Sequence, residues 1–390
     1  MNRQYDVIVV GAGPAGSIAA MSAASAGVST LLAEKHPMIG EPLCCAEAIS
    51  TAGLTRVVDL DASWVSSPVN KVIMFGPDDT RAKIHHPDAG YVLDRKLLDR
   101  DLADMATRAG ADLQTGMDIR GLMFDDDGSL IGVRADTSGE SYEIEGKVII
   151  AADGVESIIA RQAGIDSVLK PKQMHSAYQY YLGDIDIEPE TIEFHFGNAI
   201  APGGYLWVFP KGSDSANVGI GINPPKSPRK KAVAYLNEFI EQRFNEGRVI
   251  EKMTGGVPSY MPDLPLYKDN LLLIGDAARL VDSLTGAGIA NALLSGQIAG
   301  ETAALMASSG ISGQSYADKF NELKRKELKF YYHCREMFLK LTDNDFSDII
   351  KFVNEIFGDR DVTAINPFEV VKQIVLNHPR LLKLGRHLVF

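Results

Sequence analysis

The feature that most constrains this chain lies near its start. An uninterrupted apolar run, Val7-Ile8-Val9-Val10, leads directly into Gly11-Ala12-Gly13-Pro14-Ala15-Gly16. The run is short and β-branched, as expected of a parallel strand buried on both faces. An alanine-rich stretch to Gly27 predicts a helix, and "STLLAEK" predicts a second strand ending at Glu34. Strand, glycine turn, helix, strand and terminal acid together form the dinucleotide fingerprint in its full context. In that pattern Gly11 allows a tight turn, Gly13 lets the backbone approach a pyrophosphate, and Gly16 permits close helix–strand packing. The helix N-terminus would face the phosphates, and Glu34 would accept from a ribose hydroxyl.

No second complete glycine fingerprint follows, which points to one held dinucleotide and no separate nicotinamide domain. Two later stretches indicate that the dinucleotide is FAD. "VIIAADGVES" predicts a strand running into Asp153 and Gly154, and "LLLIGDAARLVDSLTGAGIANALLSG" predicts a strand, an acid at Asp276, a loop through Gly286 and a helix opening near Gly288. A strand that ends in an acid can bring a carboxylate to a ribityl hydroxyl. The glycine-bearing helix start that follows can bring N–H groups and a positive dipole to the pyrophosphate or the flavin ring.

The order GxGxxG, "ADG" and "GDAA…GAG" resembles the three FAD motifs of the p-hydroxybenzoate-hydroxylase-like flavoproteins. Within that group "EKHPMIGEPLCCAE", "YVLDRKLLDRDLADMA", "GGYLWVFPKG" and "IGDAARLVDSLTGAGIANALLSG" resemble the geranylgeranyl reductase family, most of all its archaeal digeranylgeranylglycerophospholipid reductases. The likeness runs over nearly the whole chain. It implies a mixed α/β fold: a Rossmann-type FAD-binding domain, an antiparallel-sheet substrate domain and a C-terminal helical region. It also implies an FAD-dependent oxidoreductase that saturates isolated C=C bonds of geranylgeranyl chains, carried on lipids or prenyl diphosphates. By the same resemblance Ala15, Glu34, Cys45, Ala46, Ala48, Arg95, Ile119, Asp276, Gly288 and Ile289 contact FAD, several through the backbone. Spacing alone would favour a solvated Arg95 paired with Asp94 or Asp99, and the resemblance reverses that preference.

Composition narrows the partners. A net charge of −12 over 390 residues argues against nucleic acid and against simple electrostatic binding to anionic membranes. With 45% hydrophobic and 23% charged residues, the chain reads as a soluble globular protein. No apolar segment has the length of a membrane-spanning helix, and the chain enters its first strand without a signal peptide, so a cytoplasmic location is expected. Three cysteines, two of them adjacent, do not make a secreted disulfide framework, and no metal site is expected. The cofactor domain is expected to be discontinuous, over residues 1–65, 95–164 and 265–310. Residues 66–94 and 165–264 alternate apolar and polar positions, as an antiparallel substrate-covering sheet would. Residues 311–390 are helical in period. There, "FYYHCREMFLKL" and the closing "LLKLGRHLVF" are candidates either for a packed cap or for peripheral membrane contact.

Three local features bear on chemistry. In "PGGYLWVFPKG", Tyr205, Trp207 and Phe209 alternate on one face of a predicted strand, which by itself suits core or a site wall. In the family this string lies over the flavin, where a long isoprenoid chain needs an apolar lining. Cys44-Cys45 occupies a loop expected near the flavin. Cys45 matches the family's cysteine and is the candidate proton donor, whereas Cys44 replaces an arginine. Ser283 stands where the family has proline after aspartate, which is expected to loosen the loop toward Gly286. The electron donor implied is ferredoxin, coenzyme F420 or NAD(P)H. Two competing readings are a flavin-dependent halogenase or monooxygenase, whose "WxWxIP" string resembles Tyr205–Pro210, and a catalytically silent flavin- or lipid-binding protein.

Overall fold

In a computed structural model of the chain, residues 3–358, 360–362 and 366–378 are described. The fingerprint strand Gln4–Val10 lies in the middle of a sheet, flanked in parallel by Thr30–Glu34 and Glu140–Ala151. Asp112–Thr115 extends the parallel sheet on one side and Leu271–Leu273 on the other. Val7, Ile8 and Val9 are fully buried: helices Pro14–Ser25 and Ile289–Ser309 pack against the sheet, and the antiparallel strands Asp118–Phe124 and Leu130–Thr137 share its core. The chain winds outward first to one side of the central strand and then to the other. The carboxyl ends of these strands therefore open a crevice at the point where strand order reverses.

Helix Pro14–Ser25 follows the glycine turn and is rich in alanine for a packing reason. It is wedged between the sheet and the helices Arg95–Arg108 and Ile289–Ser309. Gly296 and Gly300 allow the close approach, since a Cβ on either would come within 2.3 Å of the Ala15 or Ala19 carbonyl oxygen.

The second sheet runs in the order Arg248–Pro258, Met174–Gly183, Ser215–Ile222, Tyr205–Pro210, Thr191–His195, Val65–Phe75, Arg81–Leu93 and Ala48–Ser50. Two departures from the expected layout appear here. The sheet is not wholly antiparallel, since Thr191–His195 pairs in parallel with Val65–Phe75. Those strands are separated by a long excursion through the first sheet, so no hairpin turn dictates an antiparallel return. In addition, Ala48–Ser50, expected within the cofactor domain, pairs with Gly90–Val92 of this sheet. The cysteine loop is thereby strung between the two sheets.

Leu206 and Val208 face away from the first sheet and pack with Val218, Ile220 and Leu236 of helix Ala232–Arg243. The aromatic residues between them turn the other way. Helix Gln314–Phe338 buries Tyr316, Phe320 and Leu328 in the core around the first sheet. It then buries Phe330, Cys334 and Met337 with Phe346 and Ile350 of helix Asp343–Phe357 against the second. The apolar face of "FYYHCREMFLKL" is thus spent on internal packing, while "LLKLGRHLVF" lies outside the described residues. No described helix is long and apolar enough to cross a membrane.

Candidate active site

A cavity of about 390 Å³ is lined by residues of both sheets, a volume typical of small-molecule sites. Helices Pro14–Ser25 and Ile289–Ser309 both begin at it, at Gly13 and Gly288, and neither start has a side-chain cap. Two sets of unpaired N–H groups with their helix dipoles therefore converge on one space. The three fingerprint glycines differ physically. Gly11 takes a φ of +103°, and a Cβ there would come 2.5 Å from the Ala152 carbonyl oxygen. A Cβ on Gly16 would come 1.8 Å from the Gly11 carbonyl oxygen. Gly13 has an ordinary φ of −71° and open space where a Cβ would stand, so nothing within the fold demands glycine there. The room suits a group that approaches the backbone from outside, as a pyrophosphate does.

The acids around the crevice suit the same ligand. Glu34 accepts from the Ala12 N–H through one oxygen and from the His36 N–H through the other, both at 2.9 Å. One Asp153 oxygen accepts from the Ile159 N–H, and the other is buried with no hydrogen-bond partner. Burial pushes the Asp153 carboxyl above its usual range and does the same to Asp276, with Arg279 and Arg95 working against the latter shift. A partnerless buried carboxylate oxygen is costly unless a hydroxyl or similar donor meets it. The residues present therefore suit FAD: the helix starts would meet its phosphates, and Asp276, which lines the cavity, a hydroxyl group, with Glu34 and Asp153 at the neighbouring strand ends.

Of the residues singled out in the sequence, Gly13, Ala15, Cys45, Ala46, Ala48, Arg95 and Gly154 line the cavity from the cofactor side. Asp276, Gly286, Gly288 and Ile289 line it from the late glycine loop. Gly11, Gly16, Glu34, Asp153 and Ile119 do not line it. Ile119 is buried in the core of the first sheet, on a strand paired with Ala135.

The cysteine loop is held by groups that the sequence reading missed. Glu47 is buried with a φ of 73°, and three groups hold its carboxylate. These are the Arg95 N–H at 2.8 Å, the Lys211 Nζ at 2.6 Å and the Asn217 Nδ2 at 2.7 Å. Lys211 also donates to the Leu93 carbonyl at 2.9 Å. The lysine of "FPKG" thus reaches across and clamps the glutamate of "CCAE". Arg95 is itself fixed by Asp99, to which Nε and Nη2 donate at 2.7 and 2.8 Å. The ion pair allowed by the spacing is present, and the guanidinium still lines the cavity. Burial pushes the Cys45 thiol above its ordinary value, while Arg95 and the Glu47 N–H, 3.2 Å from Sγ, favour the thiolate and moderate the shift. Cys44 is exposed, donates to the Thr254 carbonyl and forms no disulfide.

Tyr205, Trp207 and Phe209 line the cavity and also pack as core, so the two readings of this strand coexist. Phe194 backs Tyr205 and Phe209 edge-on at 5.3 and 5.5 Å. The indole N–H of Trp207 donates to Gln179 Oε1 at 2.8 Å, and Gln179 in turn donates to the Cys45 carbonyl at 3.1 Å. The aromatic wall and the cysteine loop are therefore one hydrogen-bonded unit. Tyr205 donates to the Thr285 carbonyl, tying the strand to the late glycine loop.

In place of the family's proline, Ser283 brings a hydroxyl to that loop. Ser283 is buried, and its Oγ accepts from the Tyr260 N–H at 2.9 Å. Asp282 accepts from the Leu284 and Thr285 N–H groups at 2.8 and 3.1 Å. These bonds tie the loop to Tyr260 and to its own backbone.

The chain matches a family model described as the geranylgeranyl reductase catalytic domain over residues 173–257, and one described as FAD dependent oxidoreductase over residues 6–180. It is 38% identical to the digeranylgeranylglycerophospholipid reductase of Methanocella arvoryzae, covering 98% of each chain. It is 40% identical to that of Methanosarcina acetivorans, covering 91% of this chain and 90% of the other. A solved geranylgeranyl bacteriochlorophyll reductase-like protein from Thermoplasma acidophilum superposes with a TM-score of 0.93 at 33% identity, covering all of both chains. The flavin-dependent halogenase CmlS shares the fold, with a TM-score of 0.71 at 18% identity over 97% of this chain and 71% of the other.

Proposed function

The chain belongs to the geranylgeranyl reductase family, as an FAD-dependent oxidoreductase, and from that premise we propose that it saturates the isolated double bonds of geranylgeranyl chains on glycerophospholipids. The observation that carries the reading is one wall. The aromatic strand, the cysteine loop and the late glycine loop meet around a single, largely apolar cavity at two uncapped helix starts.

An isolated alkene has no carbonyl to absorb the charge of hydride addition. Its saturation needs a hydride at one carbon and a proton at the other. Reduced FAD, when bound, supplies the hydride. The chain's own residues position the alkene, keep water away and deliver the proton. Tyr205, Trp207 and Phe209 form an apolar wall that holds the chain against the reacting face. Cys45 is the proton donor. Its raised thiol stays protonated through neutral pH, and the Arg95 guanidinium with the Glu47 N–H stabilises the thiolate left after transfer. Water then returns the proton to Cys45. Reducing equivalents come from a separate donor of the ferredoxin, coenzyme F420 or nicotinamide type, because the chain carries a single dinucleotide fingerprint.

The test incubates the dithionite-reduced holoprotein with digeranylgeranylglycerophospholipid and weighs the products. A gain of two hydrogen atoms per saturated bond is expected, and the absence of any gain would sink the reading. Cys45→Ala should slow single-turnover reduction by about a hundredfold or more, the usual scale of a general acid. The wild-type rate should hold through neutral pH and fall only as the thiol ionises above its ordinary value. A Cys45→Ala rate equal to wild type removes the proton-donor role and leaves Cys45 a lining residue.

A further inference from the structure

Two arginines line the cavity, and they are treated differently. Arg95 is held in a two-point ion pair by Asp99. Arg335, on helix Gln314–Phe338, has only 3% of its side chain exposed and, among the described residues, faces no buried carboxylate. Its nearest acid is Glu336, 3.7 Å away and half-exposed. Arg335 Nη2 donates to the Lys172 carbonyl at 2.7 Å, while Nε is buried without a hydrogen-bond partner. A buried guanidinium whose one counter-ion is long and half-exposed is costly until a closer anion meets it. His175 lines the same cavity, and its charged form is suppressed first by burial and then by Arg335. Burial likewise disfavours the charge on Arg335. The surrounding wall offers Tyr205, Val257 and Phe338, and the lining acids lie elsewhere, Glu47 clamped by Lys211 and Asp276 on the late glycine loop.

We infer that Arg335, with His175 beside it, is an anion subsite that receives the phosphate at the head of the prenyl substrate. The inference rests on the geranylgeranyl-reducing reading and adds to it the group that fixes which end of the chain goes where. A phosphate in the cavity pairs with the guanidinium and adds the buried counter-charge that half-exposed Glu336 does not supply, while the isoprenoid tail runs along the apolar wall.

The test titrates oxidised, FAD-loaded protein with digeranylgeranylglyceryl phosphate, geranylgeranyl diphosphate and neutral geranylgeraniol, following the flavin absorbance. Wild type should bind the phosphorylated ligands about tenfold or more tightly than the alcohol, the worth of one charge-assisted hydrogen bond. Inorganic phosphate should compete with the phosphorylated ligands only. Arg335→Gln should erase the preference and leave the affinity for geranylgeraniol unchanged, and Arg335→Lys should restore part of it. Preference for the glyceryl phosphate identifies a lipid headgroup as the source of the anion, and preference for the diphosphate identifies a free prenyl diphosphate. Equal wild-type binding of alcohol and phosphates overturns the inference, as does an Arg335→Gln protein that weakens all ligands alike. Should Arg335→Gln fail to fold, the wild-type preference and the competition by inorganic phosphate still decide. Failure of the protein to reduce any prenyl lipid would strike the reductase reading instead, and the binding preference is read independently of it.

Discussion

Glu47 holds a φ that is costly for a residue with a side chain, and three donors on its carboxylate compensate for that cost. Through it the backbone of Cys45 and Ala46 is pinned to the start of helix Arg95–Arg108 and to the strand that carries Asn217. Removing the charge of Glu47 would leave Lys211 buried beside it with no counter-ion. Glu47→Gln should therefore destabilise the holoprotein by about 3–5 kcal/mol in denaturant unfolding, the range for breaking one side of a buried pair. Replacing both partners, Glu47→Leu with Lys211→Met, should recover part of the loss. An unchanged Glu47→Gln midpoint would mean that the clamp does not hold the loop. Glu47 and Lys211 both stand in strings that resemble the family's, "CCAE" and "FPKG". Neither was assigned a partner, because nothing in a linear pattern marks two charges 164 positions apart as neighbours.

At the scale of elements, the aromatic strand depends on the glycines of the strand beside it. Trp207 pairs in register with Gly219, and a Cβ on Gly219 would come 2.3 Å from the indole ring. The adjoining strand is thin at that position so that the indole can lie flat across it. Gly219→Ala should displace Trp207, break its bond to Gln179 and raise KM for the prenyl lipid about tenfold or more. Flavin content should stay at the wild-type level, because the mutation lies away from the helix starts. An unaltered KM would show that the indole position does not shape the substrate wall. The alternation of Tyr205, Trp207 and Phe209 was legible from the sequence because a strand has a period of two. Which face met a cavity was not, since core and site wall require the same apolar side chains.

Over the whole molecule, the cofactor crevice exists because two helices distant in sequence lie almost in backbone contact. Gly296→Val would push Ile289–Ser309 away from Pro14–Ser25, since even a Cβ there falls 2.3 Å from the Ala15 carbonyl oxygen. The expected result is a protein that loses FAD on gel filtration and unfolds at lower temperature. Full flavin retention would show that the two helix starts need not be so close. The sequence by itself determined the parallel sheet, the FAD chemistry and the order of the motifs. These follow from local rules: periodicity, the freedom of glycine and the polarity of a helix start. It also located the aromatic strand and the cysteine loop. Only the tertiary structure decided that Ala48–Ser50 joins the second sheet and that Ser283 accepts from the Tyr260 N–H. It alone paired Glu47 with Lys211 and set Arg335 against the cavity with only half-exposed Glu336 as its counter-ion. These outcomes depend on which charges and backbone groups lose water together, and that is settled by distance in space and not by separation along the chain.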